Sequence, residues 1–327
     1  GFCLFGLVVS LSAGLRGATE RPMAFFVSWA VTFEAMLLLE LPAHLALTQY
    51  RSAWALSLAS FGGIWAVSAV LLAATFWLAD RLSERDWQIV DLVRQHRYMT
   101  TRQVERFTFH DHATPLTGAR VCRRVLRRLA DLYVVEPLER RIGGIRAGSA
   151  SYVWQLGRVG RRLLGGNRTR VYEPSAMFLS HAIAVADAHL ALVTAHRAGR
   201  VDLIAIELEP DCWRPYTGLG GGREVLKPDL YAATVDPSDA DYELRWFIEV
   251  DLGTEHPKRL LDKCHRYDQY ARTIGNDAMP LVVWQMSAQE DADRLERAIA
   301  SDSSLDAGMF RVSTPGTLSG LVAGGGS

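Results

Sequence analysis

Four residues between positions 229 and 263 have the types and spacing for metal-assisted phosphate chemistry. Asp229 stands at the start of an extended segment, KPDLYAATV, and Glu249 and Asp251 close a second one, LRWFIEVDL. A strand sends residues i and i+2 to one face, so Glu249 and Asp251 are expected to point together while Ile248 and Val250 enter a core. In the helix that follows, PKRLLDKCHRYDQYARTI, Lys263, Tyr267 and Tyr270 are spaced i, i+4 and i+7 and share a face. Acids from two neighbouring strands plus a lysine from the next helix can hold a divalent metal beside a phosphate. The plain alternative is a set of solvated acids at strand ends, with Pro228-Asp229 as a turn.

These residues need an α/β scaffold, and the pattern from residue 167 to 315 supplies one. A helix over Pro174–Ala198 leads to the strand VDLIAIELEP, which ends in Glu207 and Glu209. A glycine-rich loop, the two acid-bearing strands, the Lys263 helix, the strand PLVVWQM, a helix and a last strand complete the unit. His181 and His189 lie on a largely apolar helix and read as core or interface histidines. The loop LGGGRE lacks the G-x-x-x-x-G-K-[ST] phosphate cradle, and no Gly-x-Ser-x-Gly elbow is present.

The formal net charge of the 327-residue chain is zero, yet the charge is segregated. Residues 81–170 carry 19 arginines against 8 acids, and residues 171–327 carry 14 basic against 24 acidic side chains. A basic middle unit is expected to face a polyanion. Its pattern, over 81–166, is three helices followed by two strands around a glycine turn, the winged helix-turn-helix plan. The third helix, TGARVCRRVLRRLADLY, sets Val121, Val125, Leu126, Leu129 and Leu132 on one side and Arg120, Arg123, Arg124, Arg127 and Arg128 around the rest. In that plan this helix enters the major groove of double-stranded DNA, and the hairpin lays Arg140, Arg141 and Arg146 along the backbone or minor groove. The best domain boundary is Gly165-Gly166-Asn167.

Residues 1–80 read as a hydrophobic segment of membrane-spanning helices. Trp54–Ala79 holds no charged residue and exceeds the length needed to cross a hydrocarbon core, and 23–47 is a weaker partner. A hairpin of the two would keep Arg16, Arg21, Arg81 and Arg85 on the inner side. A chain opening on Gly1 also reads as a fragment, or as one with a misplaced gene start, in which case this stretch is foreign to the domain. The four scattered cysteines, Cys3, Cys122, Cys212 and Cys264, read as reduced thiols of a cytosolic chain. Residues 316–327, ending in Gly-Gly-Gly-Ser, read as a flexible tail.

The strings EPDCWR at 209–214, LKPDLYA at 226–232, FIEVDLGTE at 247–255 and KCHRY at 263–267 resemble the replication-relaxation family of bacterial plasmids and integrative elements. RRLADLYVVEPLERR and SYVWQLGRVG resemble its N-terminal half, so the likeness spans about residues 82–315. The helix–three strands–helix–strand order also resembles the PD-(D/E)XK nuclease fold. The resemblance implies a DNA-binding protein of replication, relaxation or mobilisation, with relaxase or replication proteins as partners. It implies a metal site in which Asp229 and Glu249 hold Mg²⁺, Asp251 or Glu209 assists, and Lys263 steadies water or phosphate. The chain departs from the nuclease motif at Asp251, where a lysine is expected; Lys263 is placed to substitute and Lys258 less well. Three functions follow as expectations: a duplex-DNA-binding protein; a Mg²⁺-dependent nuclease or nickase; and a DNA-transfer assembly factor held by residues 54–79 at the inner face of the cell membrane, the chain otherwise being cytoplasmic.

Overall fold

The computed structural model describes residues 77, 79–138, 152–164, 174–218, 220–237, 239–275 and 279–324. Contacts divide the chain into a unit of Gly1–Leu82 and a unit of Ser83–Ser327. The expected spans at 23–47 and 54–79 lie outside the described residues, apart from Trp77 and Ala79.

The second unit opens with α1, Glu84–His96, started by a capping box in which Ser83 accepts from the Asp86 N–H and Asp86 reaches back to the Ser83 N–H. Ile89, Val90 and Val93 are fully buried along it. A second box, Thr100 with Gln103, follows β1 (Met99–Thr100) and starts α2, Thr101–Thr108. Thr114 caps α3, Pro115–Asp131, with Pro115 in the first turn, where its missing N–H costs nothing. Cys122, Leu126 and Leu129 are the buried side of α3, while Val121 and Val125 are only half-buried. β2 (Val135–Pro137) and β3 (Val153–Leu156) join β1 in an antiparallel sheet of order β1-β3-β2. The short α4, Arg158–Leu163, closes against it so tightly that a Cβ on Gly160 would collide with the Val134 carbonyl. The glycine turn with Arg140, Arg141 and Arg146, and the boundary at Gly165-Gly166-Asn167, lie outside the described residues.

The larger sheet is built from β4 (Asp202–Leu208), β7 (Leu230–Asp236), β8 (Asp239–Asp251), β9 (Leu281–Met286) and β10 (Phe310–Ser313), in the order β10-β9-β8-β7-β4. β8, β9 and β10 run parallel, and β7 and β4 are antiparallel to their neighbours. One face is covered by α6 (Pro257–Ile274) and α7 (Gln289–Ser301), which pack Leu260, Cys264, Leu295 and Ile299 with Phe247 and Trp284. The other is covered by α5 (Ala176–Arg197) and α8 (Leu318–Ala323), which pack Ala188, Leu192, Leu318 and Val322 with Leu230, Trp246 and Ile248. Burial on both faces explains why WFIEV and LVVW are near-continuous apolar runs rather than alternating ones. The fold class is therefore mixed α/β, as expected from the pattern of elements.

Two segments differ from expectation. Residues 316–327 were expected to be a flexible tail, but α8 forms there because Leu318 and Val322 complete the core. The glycine-rich loop belongs to a hairpin of β5 (Arg214–Thr217) and β6 (Arg223–Leu226), in which Thr217 pairs with Arg223 beside the loop and Tyr216 with Glu224. Among the described residues α5 is the one helix long and apolar enough to span a membrane. Four of its apolar residues, Leu179, Val185, Leu190 and Leu192, are buried in this fold, while Met177 and Phe178 in its first turn are exposed.

α5 also binds the first three helices. Gln103 Nε2 donates to the Ile183 carbonyl at 2.8 Å and to Asp187 Oδ1 at 2.9 Å. Arg197 donates to the carbonyls of Arg106 and Phe107, which the end of α2 leaves without helical partners. The segments 81–166 and 167–315 thus share one helix.

Candidate functional site

Leu230 of β7 pairs with Ile248 of β8, and the same antiparallel register carried one residue on sets Asp229 opposite Glu249. The Val250 N–H donates to Asp229 Oδ2 at 2.7 Å, so the backbone of one acid-bearing strand holds the acid of the other. His181, from α5, lies with Nε2 at 3.1 Å from Asp229 Oδ1. That bond raises the His181 pKa against the opposing effect of burial.

Glu249 departs from the picture of a solvated strand end. It is 4% exposed and faces α6. The Tyr267 hydroxyl donates to its Oε1 at 2.6 Å, and Lys263 Nζ stands 3.7 Å from its Oε2. Burial, reinforced by the Asp229 charge, pushes the Glu249 carboxyl far above the usual carboxylate range, although Lys263 and Tyr267 pull the other way. Lys263 is shared with Glu255 at 3.2 Å. Burial works against its ammonium, but Glu249, Glu255 and Asp229 outweigh that effect and raise its pKa. Tyr267 is buried in the core with its hydroxyl on Glu249, and Tyr270 packs against Phe247 and Tyr216.

Asp251 lies two residues further along the same strand. Its Oδ1 accepts from the Gly253 N–H at 3.0 Å and the Thr254 N–H at 3.4 Å, which shapes the turn out of β8. Gly253 has φ of 74°, a conformation that favours glycine. Asp251 Oδ2 is buried without a hydrogen-bond partner, and burial raises the carboxyl pKa. Glu209 follows β4 and stands 4.0 Å from Arg97. Glu209, His181 and Asp229 line a cleft with Gln95, Arg97 and Phe178.

Among the described residues no group of three or more His, Cys, Asp or Glu side chains is arranged to hold a metal ion. Mg²⁺, however, usually takes one or two carboxylates and keeps water or substrate oxygens for the rest. Two features suit that demand: the facing Asp229–Glu249 pair, and a buried Glu249 whose charge lacks full compensation. Asp251 is occupied by the turn on one oxygen, and Glu209 sits at the mouth of the cleft.

On α3, Arg120, Arg123, Arg124 and Arg127 are exposed, and none pairs with an acid among the described residues. Arg128 is different: it bridges to Asp86, which is 1% exposed. The sequence pattern does not reveal His181 and Arg97 as site residues. His181 is 48 residues from Asp229, and its helical neighbours are apolar, so nothing in local spacing marks it.

The fold is a mixed sheet carrying paired acids, joined to a helical unit with a basic third helix. The chain belongs to the replication-relaxation family, whose model matches residues 90–281. No curated protein and no solved structure matches it.

Proposed function

We propose that this chain is a duplex-DNA-binding protein acting in the replication or relaxation of plasmids or other mobile elements, and that it grips DNA through α3. The observation that carries this reading is the set of four exposed guanidiniums, Arg120, Arg123, Arg124 and Arg127, on a helix whose other side is packed by Cys122, Leu126 and Leu129. Read as a winged helix-turn-helix, α3 is the helix that enters the major groove. Family membership supports the setting. Arginines in this number supply affinity through phosphates, whereas base edges carry sequence preference. The test is the salt dependence of duplex binding. Replacing Arg123, Arg124 and Arg127 together by Ala is expected to weaken binding and flatten the log–log salt slope by roughly 2–3. An unchanged slope removes α3 from the interface.

The Asp229–Glu249 pair favours a second reading, a metal-dependent DNA nuclease or nickase. Asp229 and Glu249 are the residues that would hold Mg²⁺, with Asp251 and Glu209 in support. When bound, the ion would supply Lewis-acid activation and a water of lowered pKa. His181 and the Val250 N–H orient Asp229, Tyr267 orients Glu249, and Lys263 places a cation beside the acids for a phosphate. Supercoiled plasmid is the substrate for the test, with Mg²⁺ or EDTA, comparing wild type and Asp229→Ala. Nicking that requires metal and disappears in the variant makes the chain an enzyme. Binding without nicking leaves the acid pair as a scaffold and α3 as the working part.

A further inference from the structure

Two side chains at the mouth of the acid cleft are not used by either reading. Arg97 ends α1 with φ of 64°, a conformation uncommon outside glycine. Its guanidinium lies 4.0 Å from Glu209 Oε2 and 5.9 Å from the ring centroid of Phe178. Tyr98 packs edge-on against the same ring at 6.2 Å. Phe178 nevertheless remains 40% exposed, and Met177 beside it is 65% exposed. An aromatic ring left partly in water forgoes part of the hydrophobic gain of burial. Arg97, Phe178, His181, Glu209 and Asp229 all line one cleft. α1 supplies the arginine, α5 the ring and the histidine, and the large sheet the acids.

We propose that the open rim of this cleft, rather than its narrow interior, binds a nucleotide of single-stranded DNA, with its phosphodiester on Arg97 and its base stacked on Phe178. The ring is the discriminating feature. Bases inside a duplex stack on one another, and only an unpaired base offers a free face to a protein ring. Arg97 supplies the fixed positive charge that a phosphodiester needs, on a side chain 48% exposed and only loosely paired with Glu209. The acidic balance of residues 171–327 opposes a duplex lying across this face. It leaves room for one phosphate seated on a local cation. The proposal rests on the reading of the chain as a DNA-binding protein, and it divides the work: α3 takes the duplex and the cleft takes a separated strand.

The experiment uses the full chain in EDTA, so that strands stay intact, and follows the anisotropy of a labelled oligothymidylate and of a duplex of equal length. Phe178→Ala is expected to weaken oligothymidylate binding roughly tenfold, and Phe178→Tyr to preserve it. Arg97→Ala is expected to weaken it and lower its salt slope by about 1. Duplex affinity should be unchanged in all three variants, which also shows that each is folded. Wild type that binds duplex but not oligothymidylate overturns the strand site and leaves the duplex reading standing. The strand site is likewise overturned if Phe178→Ala binds oligothymidylate like wild type, or loses duplex equally. Failure of wild type to bind either DNA overturns the duplex reading and this one with it.

Discussion

His96 Nε2 lies 2.9 Å from His189 Nδ1, and both rings are 5% exposed where α1 meets α5. Phe107 of α2 packs against both imidazoles, at 5.9 Å and 4.9 Å between centroids. Burial lowers the His96 pKa to about 4, and burial aided by His96 and Arg197 lowers that of His189 to about 3.

Acid should therefore loosen the seam between α1 and α5. Between about pH 6.5 and about pH 4 the unfolded chain binds protons at these positions and the folded chain does not, so stability falls as pH drops through that window. Tm measured from pH 7 to pH 4 should fall less steeply in His189→Phe than in wild type. Equal slopes would show that the pair does not govern acid stability.

Glu249 predicts the opposite trend at higher pH. Its carboxyl, held up to about 8 by burial and Asp229, stays protonated in the folded chain while the unfolded chain loses the proton near pH 4.5. Its contribution to stability thus declines as pH rises from about 4.5 to about 8. Glu249→Gln should melt above wild type at pH 8, by about 2–4 °C for each kcal/mol recovered, with the gap closing toward pH 5. Mg²⁺ should raise the wild-type Tm at pH 8 and leave Glu249→Gln unmoved, a readout independent of cleavage.

Arg127 and Arg128 should separate in opposite assays. Asp86 caps α1 through Ser83 and also takes Arg128, all from a position 1% exposed. Asp86→Ala should cost about 2 kcal/mol in urea unfolding, because the cap and the bridge go together. Arg128→Ala should destabilise more than Arg127→Ala, which is nearly neutral for an exposed residue. Duplex binding should suffer more from Arg127→Ala. Equal effects of the two in both assays would merge their roles.

The linear order carried much of this protein. Helix periods, the boxes at Ser83 and Thr100, and the apolar runs around 247 and 283 are local signals, set by i, i+3, i+4 and i, i+2 geometry, and they read through to α1, α2, β8 and β9. The acid-bearing strands and the Lys263–Tyr267 face of α6 were legible for the same reason. Other features depended on contacts between residues far apart in the chain. Register placed Asp229 opposite Glu249, and only packing made Glu249 a buried acid rather than a solvated one. Folding brought His181 to Asp229 and Arg97 to Glu209, selected Arg128 out of five similar arginines for Asp86, and turned residues 318–323 into a core helix. Composition and spacing record what each residue can do; which partner it meets, and how much water is left around it, depends on long-range burial that no local window contains.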